Sequence, residues 1–248
     1  MKNFDDIRFQ DLKEGLYDPN IFKAFFLAGG PGSGKTFVTS QAFAGTGLRV
    51  INSDKAFERQ MQKAGLSLKM PESETEVRDM VRARAKATTK NMLDLSLDGR
   101  LGIIIDGTGD DYAKITKLRA SFEHLGYDTY MIFVNTSLDV ALERNAQRER
   151  SVQEHITIQS WKGCQANIGA FQNLFGGSNF IVVDNSVSAK ELVTVTMNKC
   201  SKFVTRLMTN PIKNYTAKKW VAHELELRKN KAKMGDALRH LKTGNYGK

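Results

Sequence analysis

Residues 29–36, Gly29-Gly30-Pro31-Gly32-Ser33-Gly34-Lys35-Thr36, fit the phosphate-binding pattern G-x-x-x-x-G-K-S/T at every fixed position. They directly follow an apolar run, Ala24 to Ala28. A strand turning sharply into a helix presents successive backbone N–H groups to an anion at the positive end of the helix dipole. Gly29, Gly32 and Gly34 let the backbone close around phosphate oxygens without Cβ clashes. Lys35 is placed to reach the β- and γ-phosphates, and the Thr36 hydroxyl to hold Mg²⁺. Eight consecutive residues in a strand–loop–helix context argue against a chance glycine turn. The sequence implies that the chain binds a nucleoside triphosphate.

Phosphoryl transfer then asks for cations around the γ-phosphoryl group and a residue that orients the attacking hydroxyl. In open parallel sheets such groups stand at the carboxyl ends of strands. Three acidic residues fall there: Asp54, Asp106 and Asp184. Asp54, in Asn52-Ser53-Asp54-Lys55, is expected to accept the proton of an acceptor hydroxyl; capping of the following helix is its structural alternative. Asp106 closes Ile103-Ile104-Ile105-Asp106, the apolar run with a terminal acid that holds Mg²⁺ in Walker B strands. The segment Asp106-Gly107-Thr108 also suggests a D-x-D phosphatase, but the nucleophile's position is occupied by Ile104, which excludes it. Arg144 and Arg148, four apart and so expected on one helix face, are candidates for a lid that neutralises transition-state charge. Arg150 belongs to the same cluster. An exposed helix paired through Glu143 and Glu149 is the structural alternative.

These residues must be held by a sheet. Apolar runs at 24–28, 48–52, 101–105, 129–134 and 179–183 alternate with helical patterns, which predicts an α/β fold. The expected architecture is a doubly wound, mainly parallel five-stranded sheet with helices on both faces. A long helix between the second and third runs is expected to start with a Ser73/Glu76 capping box and to end at Gly99. Its apolar stripe would be Val77, Met80, Val81, Ala87, Met92 and Leu95. Another helix is expected from Asp110 to His124, closed by Gly126. The helix after the fifth strand would start at a Ser188/Glu191 box and pack Leu192, Val193, Met197, Cys200, Phe203, Val204 and Leu207. Asn210-Pro211 stops it. Residues 65–74 read as a surface loop near the nucleotide-facing edge. The expected division is an N-terminal arm (1–20), a nucleotide-binding domain (21–209) and a basic C-terminal helical extension (210–248).

The chain has 248 residues, 41% of them apolar, and a net charge of +10. Residues 186–248 carry 14 basic against 4 acidic groups, so the rest of the chain is neutral. A positive field confined to one segment attracts nucleic acid or an anionic surface; a solvated helix face is the bland alternative. Cys164 and Cys200 lack metal-ligand spacing and suggest a reducing, cytoplasmic setting. No run reaches the length of a membrane span, and the N-terminus lacks the layout of a secretory signal.

Over residues 24–185 the chain resembles P-loop kinases of the zeta-toxin and polynucleotide-kinase type. Ala28 to Thr36 is similar to their nucleotide loop, and Ile51 to Gln60 to the segment carrying their catalytic aspartate, which falls on Asp54. Ile105-Asp106-Gly107-Thr108 matches their middle region, and Arg144-Asn145-Ala146-Gln147-Arg148 their arginine lid. The resemblance implies a P-loop NTPase fold, use of ATP and Mg²⁺, transfer of the γ-phosphate to a hydroxyl, and an adenine contact near Asn185. It does not extend to the basic segment after 210. The favoured acceptor on these grounds is a nucleic acid, at a 5′-hydroxyl or a hydroxylated base. The alternatives are a nucleotide sugar or nucleoside, as in zeta toxins, and a nucleotide-gated binding module without transferase activity.

Overall fold

Phe25, Phe26 and Leu27 are wholly buried although their side chains point alternately to opposite sides of one strand. That requires a sheet covered on both faces, and a near-continuous apolar run is the mark of a buried parallel strand. The computed structural model describes residue 16 and residues 18–242, except 70, 151 and 187–189. Its strands are β1 (Lys23–Ala28), β2 (Arg49–Ile51), β3 (Ile103–Asp106), β4 (Asp128–Asn135) and β5 (Phe180–Asp184). They form one parallel sheet in the order β2-β3-β1-β4-β5. Between them run α1 (Lys35–Ala42), α2 (Ser53–Lys63), α3 (Thr75–Asp98), α4 (Tyr112–His124), α5 (Leu138–Ala146) and α6 (Glu154–Phe175). After β5 follow α7 (Lys190–Thr209) and α8 (Tyr215–Lys242).

The strand period of two sorts the core into two layers. Ala24, Phe26 and Ala28 of β1, with Met131 and Phe133 of β4, pack against Ile115 and Phe122 of α4 and Phe171 and Phe175 of α6. Phe25 and Leu27, with Tyr130, Ile132 and Val134, meet Val38 and Ala42 of α1 and Met197, Phe203, Val204 and Leu207 of α7. The fold is therefore the doubly wound P-loop NTPase sheet, with β1 central and its phosphate loop at the carboxyl edge. A third, smaller cluster, Phe57, Met61, Val81 and Ala85, joins α2 to α3.

Two local expectations need correction. The long helix does not start from a Ser73 capping box: a 3₁₀ turn spans Glu72–Glu74, and the residue before Thr75 makes no side-chain cap. Nor does its predicted stripe face the core, apart from Val81. Val81, Ala85, Thr89 and Ser96 are buried, while Val77, Met80, Met92 and Leu95 are exposed. The inward face follows the four-residue row Val81, Ala85, Thr89, Leu93 and Leu97, whose two leucines pack on the main core while Val81 and Ala85 join the α2 cluster. Gly99 ends the helix as expected, donating to Leu95 O, but it is Arg100 that takes the left-handed turn. Ser188, with its predicted capping box, lies outside the described residues, as does nearly all of the 1–20 arm.

Residues 210–221 are fastened to the amino-terminal edge of the sheet. Lys23, the first residue of β1, is 1% exposed, and its ammonium donates to Asn210 O at 2.9 Å. It lies 3.5 Å from the Asp128 carboxylate. Burial pushes the Lys23 ammonium below its ordinary value, and Asp128 opposes that shift. Asp128 also accepts from the backbone N–H groups of Lys213 and Asn214. Ala217 is wholly buried against Gly126, and Trp220 meets Phe22 edge-on at 5.4 Å. From Ala222 to Met234 the α8 side chains are exposed or half-buried. The docked turns sit at the amino ends of β1 and β4. Six residues of β1 separate that edge from the phosphate loop, about 20 Å at the rise of a strand.

Asp128→Asn should loosen this attachment, because it leaves Lys23 buried beside a neutral partner. We expect a loss of about 3 kcal/mol in urea unfolding, with faster amide exchange at 213–221 and unchanged exchange in β1.

Candidate active site

The phosphate loop is shaped by what stands behind it. Gly32 and Gly34 have φ of 78° and 89°, in the left-handed region that favours glycine. A Cβ on Gly32 would run into the Ala141 carbonyl of α5, and one on Gly34 into the Asn185 amide. The Asn185 side chain donates to Ser33 O at 2.8 Å, and the Asn185 backbone carbonyl accepts from Arg144 Nη1 at 2.9 Å. Asn185 thus ties the loop to α5 from the buried side, and its amide N–H is engaged with the protein. The loop's entrance is fixed by Gly29 N–H donating to Thr108 O at 2.7 Å. The Cys164 thiol donates to the same carbonyl, and burial pushes it up to about 11. Both cysteines are buried and free.

In front of the loop lies a cavity of about 910 Å³, large enough for a nucleotide and a second small reactant. Pro31, Gly32, Gly34, Lys35 and Thr36 line one wall, with Asp106 beside them. Asp54 and Arg144 and Arg148 line the same space. Gly29, Gly30, Ser33 and Asn185 support it from behind. Lys35 Nζ donates to the carbonyls of Gly29 and Gly30, the latter at 3.1 Å. Burial pushes its ammonium below the usual 10.5; Asp106 and, more weakly, Asp54 pull it back. Asp184, by contrast, ends the edge strand and accepts from Ser186 N–H and Oγ; it does not line the cavity.

Asn52 is the residue that composition and motif left unnoticed. It caps α2: its side-chain oxygen accepts from Asp54 N–H at 2.8 Å and Lys55 N–H at 3.2 Å. Its amide group donates to Asp106 at 2.5 Å. One asparagine therefore fixes Asp106 and the helix end bearing Asp54, and relieves Asp54 of capping. Asp54 itself is 65% exposed and lies 3.5 Å from Arg150 Nη2.

The lid is built differently from the expectation. Helix α5 ends at Ala146, so Arg144 and Arg148 do not share a helix face. The loop beyond it is clasped by Asn145, which is 4% exposed and exchanges two hydrogen bonds with the backbone of Val152. That clasp returns Arg148 to the cavity. It also carries Arg150 across to α2, where Nε donates to Glu58 at 2.8 Å. Asp110, another unpredicted lining residue, is held by Ser160 and Thr108 hydroxyls.

A family model described as an AAA domain matches residues 25–170, from β1 into α6. The chain belongs to the AAA_33 family of AAA domains. In this AAA domain the matched span takes in the phosphate loop, Asp54, Asp106 and both lid arginines, as a P-loop, kinase-like domain. Among solved structures it is similar to a candidate kinase of Chloroflexus aurantiacus (17% identity, 74% of this chain and 94% of that one, TM-score 0.48). It is also similar to a gluconokinase from Sinorhizobium meliloti (12%, 76% and 97%, TM-score 0.45). A third likeness is to a structure of the PezAT toxin–antitoxin system of Streptococcus pneumoniae (15%, 84% and 100%, TM-score 0.45). No curated protein matches the chain. No helix among the described residues is long and apolar enough to cross a membrane.

The residues fit a nucleotide triphosphate with Mg²⁺. Lys35 is satisfied only by carbonyls of its own loop, which phosphate oxygens can replace. Among the described residues no group of three or more His, Cys, Asp or Glu could hold a metal by itself. Mg²⁺ takes one or two protein oxygens plus phosphates and water, and Thr36 and Asp106 offer two oxygen donors on one cavity wall.

Two outcomes follow for measurement. Asn52→Ala should cost about 1 kcal/mol of unfolding stability through the lost cap, read by urea titration. Nucleotide affinity, followed by calorimetry across rising pH, should fall below pH 10.5, because Lys35 loses its charge as pH climbs through its lowered pKa. Lys35→Met should abolish that fall and weaken binding by about 1.5–3 kcal/mol.

Proposed function

We propose that this AAA domain is a Mg-ATP-dependent phosphotransferase that moves the γ-phosphate of ATP to a hydroxyl group. The observation that carries the reading is the shared cavity of Lys35 and Asp54, a phosphate-loop cation and a solvent-reachable carboxylate on separate elements. Bound Mg²⁺, with Thr36 and Asp106 as its protein donors, would offset charge on the phosphate oxygens.

The remaining work falls to side chains. Lys35 exchanges the Gly29 and Gly30 carbonyls for phosphate oxygens. Arg144, already oriented by Asn185 O, and Arg148 neutralise charge as the bond from the γ-phosphorus to the bridging oxygen breaks. Asp54 receives the acceptor's proton while the new P–O bond forms. Asn185 serves here chiefly by stiffening the loop.

A small acceptor, a nucleotide sugar or nucleoside, is favoured over nucleic acid as the substrate. What supports it is the extension's attachment at the amino ends of β1 and β4, the edge of the sheet away from the cavity. In this reading the exposed lysines of α8, Lys229, Lys231 and Lys233, serve contact with an anionic partner such as nucleic acid rather than substrate delivery.

Asp54→Asn should lower kcat by about 10²–10⁴-fold with little change in nucleotide affinity. Full turnover in that variant would sink the enzymatic reading. Truncation after Ala222 keeps the docked turns; it should preserve transfer to small hydroxyl acceptors, read by mass shift, and reduce nucleic-acid binding.

A further inference from the structure

Six cations line the cavity, and they divide by element. Lys35 of α1, with Arg144 and Arg148 of the lid, surrounds the phosphate loop. Arg82 of α3 and Arg150 meet the same Phe57 ring, Arg150 also lies 3.5 Å from Asp54, and Lys55 follows Asp54 in α2. ATP with one Mg²⁺ carries about two negative charges, and the three cations of the first group already answer it. The second group, on the elements that carry or touch Asp54, is left over for an acceptor.

That second group is organised around one ring. Phe57 is 2% exposed and fixed in the small core of α2 and α3 with Met61, Val81 and Ala85. The Arg82 guanidinium lies 4.6 Å from the ring centroid and that of Arg150 at 5.8 Å. Stacking holds a guanidinium plane while leaving its N–H edge free for a planar or tetrahedral oxyanion. Arg150 spends that edge on Glu58 and Asp54. Arg82 does not: among the described residues the Phe57 ring is the one partner found for it, and its side chain is exposed to the cavity.

We propose that Arg82, stacked on Phe57 and supported by Lys55 and Arg150, binds a phosphate group of the acceptor. The substrate of this domain is then a phosphorylated hydroxyl compound, not a neutral alcohol. This inference rests on the kinase reading, since it assigns the Asp54 side of the cavity to the acceptor. The same phosphate chemistry is offered by a sugar phosphate and by a nucleic-acid backbone.

The test is calorimetric, on the full chain saturated with Mg·AMP-PNP. Ribose 5-phosphate should bind about tenfold or more tighter than ribose. Arg82→Gln should remove that preference without shifting the Kd of Mg·AMP-PNP, and Arg82→Lys should restore part of it. A 5′-hydroxyl trinucleotide binding tighter than ribose 5-phosphate would support the site with a backbone phosphate as its ligand. Equal binding of ribose and ribose 5-phosphate, a preference that survives Arg82→Gln, or loss of Mg·AMP-PNP binding in that variant would overturn the proposal. No transfer step is needed, so the two readings fail separately. A protein that selects phosphate through Arg82 yet never transfers label refutes the kinase reading. One that transfers label and ignores the acceptor's phosphate refutes this one.

Discussion

Crowding six cations into one cavity is the constraint on which the rest of this structure depends. Like charges a few ångströms apart repel by several kcal/mol unless solvent or protein oxygens intervene. Here protein oxygens are supplied to three of the six. Lys35 takes the Gly29 and Gly30 carbonyls, Arg144 takes Asn185 O, and Arg150 takes Glu58 and Asp54. Gly29 and Asn185 directly follow strand ends, and Asp54 and Glu58 are carried by α2. The site is therefore stable before any phosphate arrives, and phosphate binding becomes an exchange of acceptors.

The sheet makes that arrangement possible. Its parallel strands put the phosphate loop after β1, the Asp54 helix after β2 and Asp106 at the end of β3 along one edge. Two apolar layers, one on each face, leave the edge as the place where backbone and charged groups can meet solvent. The lid then closes the edge from the β4 side through α5 and the Asn145 clasp. At the other edge, the Lys23–Asp128 pair does the reverse: it uses a buried charge to anchor the basic extension away from the cavity.

Strand positions were legible because a strand buried on both faces reads as an unbroken apolar run, and Phe25 to Leu27 could hardly lie elsewhere. The phosphate loop was legible because its chemistry is local, eight consecutive residues closing on one anion. The long helix was foreseen with its end at Gly99, but its start and its buried face were not. Its large apolar residues Val77, Met80 and Leu95 face solvent, and Ala85, Thr89 and Ser96 face inward. Periodicity reports where hydrophobic residues recur, whereas the packed face was set by which residues met the main core, Leu93 and Leu97, and the α2 cluster, Val81 and Ala85. The shared helix face of Arg144 and Arg148 failed for a related reason: α5 stops at Ala146, and a side-chain clasp took over the task of positioning.

The amino-acid sequence by itself determined the parts whose partners lie within a few residues: the anion-binding loop, the succession of strands, and the confinement of positive charge to the last quarter. Only tertiary structure decided which groups accompany Asp54. Asn52 reaches Asp106 across 54 residues and Arg150 reaches Glu58 across 92. Arg82 meets Phe57 only because α3 folds back on α2. Contacts of that span carry no periodic or motif signal, since their geometry is fixed by strand pairing and helix packing rather than by spacing along the chain.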